Sequence, residues 1–282
     1  MVATGQLPIP QITARRFGAR CLPALTDDAL YERTGVRVAF TGRAGGVSEG
    51  PYSSLNLGNH VGDGPASVER NRALVLEALD AADVPLVVPS QVHGEVVVEL
   101  DDASPEALDA AREAALAGAD ALVATVPGIA ALLCFADCVP VIVVSPTGRF
   151  AVAHAGWRGV ENGVAAKAVR ALARADAAEL GGGCGERLQR VRGAAHPRVL
   201  LRDGRRRAQA LRDRFGSSCI PDERHVDLLE ALTVGLEEAG IDRARVADAG
   251  VCTVCSCDEF FSYRAAGGIC GRHGAVAFRK AG

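Results

Sequence analysis

Apolar positions crowd the stretch from Ala119 to Gly159, and their spacing there organises the chain. Two unbroken runs, IAALLCF and VPVIVV, flank Asp137 and Cys138, and a third, RFAVAHAGW, carries His154. Short apolar, β-rich runs separated by Pro-Gly and Pro-Thr-Gly breaks predict adjacent buried strands. A carboxylate, a thiol and an imidazole are thereby held on a rigid sheet. Upstream, the apolar LVVP passes directly into SQVHG, which brings His93 beside another strand.

The remaining pattern alternates strand and helix periods. Val36 to Phe40 alternates as a strand and runs into TGRAGGVSEGPYSSLNLGNHVGD, a long loop rich in Gly, Ser and Asn. Loops of that length inside a compact domain are functional or mobile. Val68, Leu74, Leu76 and Leu79 predict a helix over 66–82. Strands are predicted at 86–88, 96–100 and 246–251, with a short one at 275–278. The acidic, Ala-rich 101–116 reads as a surface helix or an insertion, and helices are predicted from Asn162 or Gly163 to Ala175 and over 226–239. GGGCG at 181–185 is a flexible break, and residues 1–30 are peripheral. Interleaved strands and helices, with no internal repeat and no linker, predict one α/β domain over 1–282.

Composition narrows the class. A chain of 282 residues buries a substantial core, and a net charge of −3 argues against a global nucleic-acid binder. Asp137 and Pro140 interrupt the longest apolar stretch, so no membrane-spanning helix is expected. MVATGQLPIPQ lacks a basic segment followed by an apolar one, so no signal peptide is expected. The nine cysteines, odd in number, then read as reduced thiols of a cytoplasmic protein rather than a disulfide framework.

His93, Cys138 and His154 are the first candidates for chemistry. Two imidazoles and a thiolate suit a borderline-soft divalent ion, and three protein ligands leave zinc a fourth position for water or substrate. Gly94, Gly156 and Gly159 beside the histidines allow close approach. The alternatives are a buried Cys with hydrogen-bonded histidines, or a Cys138 nucleophile with His154 as base and Asp137 or Asp120 orienting the imidazole. A type 1 copper site also uses a His2Cys set. However, the only Met is Met1 and no H-x-H pair occurs, so zinc is favoured over copper. In TGRAGGVS, Arg43 and Ser48 fit either an anion-binding loop or an ordinary Gly-rich turn. In the tail, Cys252, Cys255, Cys270 and His273 fall as C-x2-C-x14-C-x2-H, the spacing of a structural zinc site or of a set of buried thiols. Arg264 and Arg272 fit anion binding or plain surface charge.

TGRAGGVSEGPYSSLNLGNHVGD, PSQVHG, GADALVATVPG, ADCVPV, AVAHAGWRG and FFSYR followed by GR resemble, in order, the motifs of the YfiH-like laccase-domain family. The resemblance runs from about Val36 to the C-terminus. This family was formerly labelled polyphenol oxidase or multicopper oxidase, now includes zinc-dependent purine nucleoside phosphorylases, and is linked to peptidoglycan editing. The resemblance implies a single layered α/β domain with mixed sheets and flanking helices, related to a toxin deamidase that uses a Cys/His pair. It places metal ligands on His93, Cys138 and His154, a loop Arg on Arg43, and tail positions on Cys252-Thr253 and Ser262-Arg264. The implied reaction is phosphorolysis of adenosine, inosine and methylthioadenosine to base and ribose 1-phosphate, with adenosine deamination. Asp137 is the acid/base candidate, and Arg43 or Arg264 the phosphate clamp. The implied partners are small molecules, not nucleic acid or membrane, for a monomer or weak homodimer. One departure stands out. Where the family carries a Gly-Pro, paired Cys and Tyr-Glu, this chain reads GAAHPRVLLRDGRRRAQALRDRF. Either the wall of the site has diverged around 196–210, or a compensated frameshift has rewritten it. The resemblance also argues against a tail zinc finger, since it assigns that segment to the site's wall.

Overall fold

The structure is a computed structural model that describes residues 7–180, 189–192, 198–200, 204–222 and 225–282. Its strands, in chain order, are β1 (Thr13–Phe17), β2 (Leu22–Thr26), β3 (Val36–Thr41), β4 (Leu86–Val87), β5 (Val97–Leu100), β6 (Ala121–Ala124), β7 (Ile129–Phe135), β8 (Val139–Val144), β9 (Phe150–Ala155), β10 (Gln189–Arg192), β11 (Arg198–Leu200), β12 (His225–Asp227), β13 (Val246–Ala247) and β14 (His273–Arg279). The helices are α1 (Asp28–Thr34), α2 (Pro65–Ala78), α3 (Pro105–Leu116), α4 (Trp157–Glu161), α5 (Val164–Leu180), α6 (Gly204–Phe215) and α7 (Leu228–Glu237). One sheet has the order β1-β2-β3-β14-β7-β4 and a second β13-β10-β8-β9-β6-β5; β11 and β12 form a small pair.

Side-chain parity explains why the central runs are apolar throughout. In β7, Ile129, Ala131, Leu133 and Phe135 enter the layer between the two sheets, where they meet Phe40, Ile142 and Val152. Ala130, Leu132 and Cys134 point the other way, onto a core with Leu55, Leu57, Leu74 and Leu79. In β9, Phe150 and Val152 face the inter-sheet layer. Ala151, Ala153 and Ala155 face Val164, Leu172, Leu228 and Leu232 on the helical side. The result is helix, sheet, sheet, helix, with every strand of the centre buried on both faces. His154 has the parity of Phe150 and Val152, so its ring ends the inter-sheet layer, 5.3 Å from the Phe135 centroid.

The expected elements are present with shifted bounds. The helix predicted over 226–239 is preceded by β12, because Asp227 caps α7 through the N–H groups of Leu229 and Glu230, each at 3.0 Å. The helix predicted from Asn162 or Gly163 is α5, and a short unpredicted helix, α4, precedes it, separated from it by Gly163 at φ +73°. The short tail strand is β14, a central strand that pairs β3 on one side and β7 on the other. The segment read as peripheral supplies β1 and β2 at the edge of the first sheet. The break at 181–185 lies outside the described residues, as do 196, 197 and 201–203 of the divergent stretch. The rest of that stretch forms β11 and the start of α6, whose Ala208, Leu211 and Phe215 enter the helical core at helical spacing.

The long Gly-rich loop after β3 is fixed rather than loose. Asn71 on α2 accepts from Val47 N–H at 2.8 Å and donates to the Ser48 hydroxyl at 2.8 Å and the Asn56 carbonyl at 2.9 Å. Ser48 and Asn56 both donate to Asp63, at 2.6 and 2.8 Å. Polar residues at loop positions thus replace the ladder the backbone lacks.

Candidate metal centre

Three connections converge at one end of the inter-sheet layer. The segment before β5 carries His93, the turn between β7 and β8 carries Asp137 and Cys138, and the end of β9 carries His154. The β8–β9 register sets Pro140 opposite His154, which brings the turn and the strand end together. The ligating atoms of His93, Cys138 and His154 all lie within 4.8 Å of one another, and Cys138 Sγ is 3.8 Å from His93 Nε2. The two imidazole centroids are 4.7 Å apart, edge to face. Gly156 makes room: a Cβ there would lie 3.0 Å from His93 Cδ2 and 3.1 Å from Cys138 Sγ.

Asp120 organises this group. Its carboxylate is fully buried and meets His154 Nδ1 at 2.7 Å, leaving the other ring nitrogen for the thiol or a metal. The same carboxylate accepts the backbone N–H groups of Val92, His93 and Gly94 at 3.2, 3.1 and 2.7 Å. Three successive donors on one anion hold His93 at φ +59°, a left-handed conformation uncommon for a non-Gly residue. One side chain therefore aims both histidines. Of the two carboxylates weighed as the imidazole's partner, Asp120 occupies that place.

The charges are mutually dependent. Burial pushes the Cys138 thiol up, but the facing His154 and the hydrogen bonds from His154 and His93 outweigh it, bringing it down to about 6. Burial pushes His154 down, but the Cys138 thiolate and Asp120 carry it up to about 9. Asp120 is raised by burial and lowered more by His154 and by the Gly94 and Val92 N–H groups, so it stays ionised. In chelated protein, Cys138 is thiolate above about pH 6 and paired with imidazolium up to about pH 9. Alkylation of Cys138 by iodoacetamide in chelated protein is expected to rise with a midpoint near pH 6, well below the ~8.5 of an ordinary thiol, and to stop on addition of metal. A midpoint at the ordinary value would refute the ion pair.

A cavity of about 530 Å³ opens over the group, with Asp137, Trp157, Leu228, Tyr263, Arg264 and Arg272 in its wall. His60 and Gln91 also line it. Asp137, at φ +86°, accepts from the Thr253 hydroxyl at 2.7 Å and from Arg264 N–H at 2.8 Å, so the tail is tied to the residue before Cys138. The Arg264 side chain is exposed. Arg43 and Ser48 are engaged elsewhere. Arg43 donates to the Ser53 carbonyl at 3.1 and 3.0 Å and the Cys257 carbonyl at 2.6 Å, and its guanidinium lies 4.6 Å over the Phe261 ring. Ser48 is buried in the loop network, and neither residue lines the cavity. Arg272, one of the two tail arginines read as fitting anion binding, lines the wall together with His60, Gln91, Trp157 and Tyr263, whose individual parts in the wall no local spacing assigns.

The tail spacing does not build a metal site. Cys270 and His273 are buried while Cys255 and Cys257 are exposed. Among the described residues, His93, Cys138 and His154 are the only group of three or more ligating side chains close enough to share an ion. Regular spacing failed here because a buried strand and an exposed turn separate the thiols.

A purine nucleoside phosphorylase of Pseudomonas aeruginosa is 35% identical over 234 residues, 81% of this chain and 88% of that protein. One of Bacteroides thetaiotaomicron is 32% identical over 264 residues, 87% and 92% respectively. One of Corynebacterium glutamicum is 40% identical over 135 residues, 48% of this chain and 52% of that protein, so that match spans about half of each. Among solved structures, YlmD from Geobacillus stearothermophilus superposes with a TM-score of 0.79 at 29% identity, covering 97% of this chain and 99% of that one. Bacillus licheniformis YfiH gives 0.78 at 28% identity, covering 91% and 96%. Residues 37–280 match one family from the start of the third strand to the end of the last, and the chain belongs to that family, described as multi-copper polyphenol oxidoreductase laccase.

Proposed function

We propose that the protein is a zinc-dependent purine nucleoside phosphorylase. It would convert adenosine, inosine or methylthioadenosine, with phosphate, to the free base and ribose 1-phosphate, and deaminate adenosine as a second activity. The observation that carries this reading is the His93–Cys138–His154 group in the wall of a nucleoside-sized cavity that also presents Arg264 and Arg272. It is supported by relatives named purine nucleoside phosphorylase that align over most of the chain.

The donor set fits zinc: two imidazoles, a thiol already biased to thiolate, and an Asp that fixes one ring. Zinc bound there supplies Lewis acidity, polarising an oxygen or bringing the pKa of a water toward ~7. The chain's own residues do the rest. Trp157, Leu228 and Tyr263 offer apolar faces to a purine ring. Arg264, with Arg272, clamps phosphate and holds it in line with the glycosidic carbon. A phosphate oxygen bonds to that carbon, and the pair of the broken C–N bond leaves with the base. Asp137 carries the proton in deamination, held in place by Thr253. Arg43 and Ser48 serve as positioning residues through the loop they fix. The partners are small molecules, with no nucleic acid and no membrane, for a cytoplasmic monomer or weak homodimer. Among the described residues no helix is long and apolar enough to cross a membrane.

The Cys138–His154 ion pair favours one second reading, a metal-independent Cys/His amide hydrolase acting on a peptidoglycan precursor. That enzyme would keep its activity after chelation and lose it on alkylation. Copper oxidase chemistry ranks last, since a multinuclear cluster has no second ligand group among the described residues.

The test is a product assay on zinc-loaded protein given adenosine, with and without phosphate. Adenine is expected only with phosphate, and His154→Ala is expected to lower its rate at least a hundredfold (~3 kcal/mol). Inosine formed without phosphate reports the deaminase activity. Failure of zinc-loaded protein to form either product would overturn the proposal.

A further inference from the structure

The tail turn carries thiols that the metal centre does not use. Ser256 N–H donates to the Cys252 carbonyl at 2.9 Å, and the N–H groups of Glu259 and Phe260 donate to the Ser256 carbonyl at 3.0 and 2.9 Å. These bonds wind the segment into successive turns. In such a turn, residues three apart share a side, whereas residues two apart diverge. Cys252 and Cys255, three apart, accordingly lie on the same side of this turn. Cys252 is half-buried and Cys255 exposed; Cys257, also exposed, stands two residues further on.

Cβ atoms three apart on a helical turn lie ~5–6 Å from one another. A disulfide needs ~3.5–4.5 Å, so closure asks for a movement of roughly 1–2 Å. The turn's anchors sit outside the pair or point away from it. Thr253 is buried with its hydroxyl on Asp137, Phe260 is buried, and the Cys257 and Glu259 carbonyls accept from Arg43.

We propose that Cys252 and Cys255 form a reversible thiol–disulfide site that takes oxidising equivalents from low-molecular-weight disulfides. One thiolate of the pair attacks a sulfur of the small disulfide, forming a mixed disulfide and expelling one small thiolate. The second thiolate, on the same side of the turn, attacks the protein sulfur of that mixed bond and expels the other. The protein loses two electrons and two protons, and the small disulfide becomes two thiols. Thr253 lies inside the closed loop, so the bridge forms around the residue that braces Asp137.

The test is to incubate the reduced, full-length, metal-loaded protein with oxidised glutathione, quench with N-ethylmaleimide and map the peptides by mass. The expected product bridges Cys252 to Cys255, leaves Cys257 alkylated, and reverts with dithiothreitol. Cys257→Ser should form the same bridge, and Cys255→Ser should form none within this peptide. Full labelling of both Cys252 and Cys255 in the wild-type protein would overturn the proposal, as would a bridge that survives in Cys255→Ser.

Discussion

Replacing Asp120 by Ala is expected to weaken metal binding by ~10–100-fold and to cost ~3–5 kcal/mol of folding stability. Both effects have one origin. The carboxylate accepts three successive N–H groups and the His154 imidazole while fully buried, so its removal strands four donors at once. His93 loses the contacts that hold its left-handed backbone, and His154 loses its tautomer. Asp120→Asn separates the two consequences. The amide keeps the volume, but its NH2 faces donors, so part of the stability should return while the affinity stays low. Competition with a chromophoric chelator reads the first effect and urea unfolding of the chelated protein the second. Affinity within twofold of wild type in Asp120→Ala would show that the histidines are aimed by something else.

Phe135→Ala is expected to lower stability by ~3–5 kcal/mol, the usual cost of an aromatic deletion that leaves a cavity. Phe135 is 1% exposed and fills the end of the inter-sheet layer. Its ring also lies 5.3 Å from His154 and 6.4 Å from His273. The void would therefore open directly behind a candidate ligand. Phe135→Leu, nearer in volume, should cost less than ~1.5 kcal/mol. Denaturant midpoints at constant slope measure both. A loss below ~1 kcal/mol for the Ala variant would mean that the two sheets close over the gap.

The metal group was legible in the sequence because each member sits at the end of an apolar run, where a strand delivers it, and both histidines have a glycine close by that admits neighbours. Asp120 was visible only as one of two carboxylates. Its hold on residues 92–94 is a relation between segments that spacing does not encode. Arg43 looked like an anion donor because a Gly-rich loop with an Arg fits that chemistry. The folded loop instead spends its donors on two carbonyls. Helix α6 is hard to read in the sequence because Arg dominates it, although Ala208, Leu211 and Phe215 keep helical spacing. Strand order was equally hidden: nothing local in 275–278 distinguishes an edge strand from a central one.

The central place of β14 bears on how fast this protein can form. Phe40 and Leu133 are not ladder partners of each other; both pair with Ala275, from the far end of the chain. The first sheet therefore has a very high contact order, and its loop-closure entropy must be lost before the pairing is gained. Until β14 arrives, β3 and β7 expose apolar, unpaired edges that invite intermolecular pairing. Refolding should accordingly be slow, and its yield should fall as protein concentration rises.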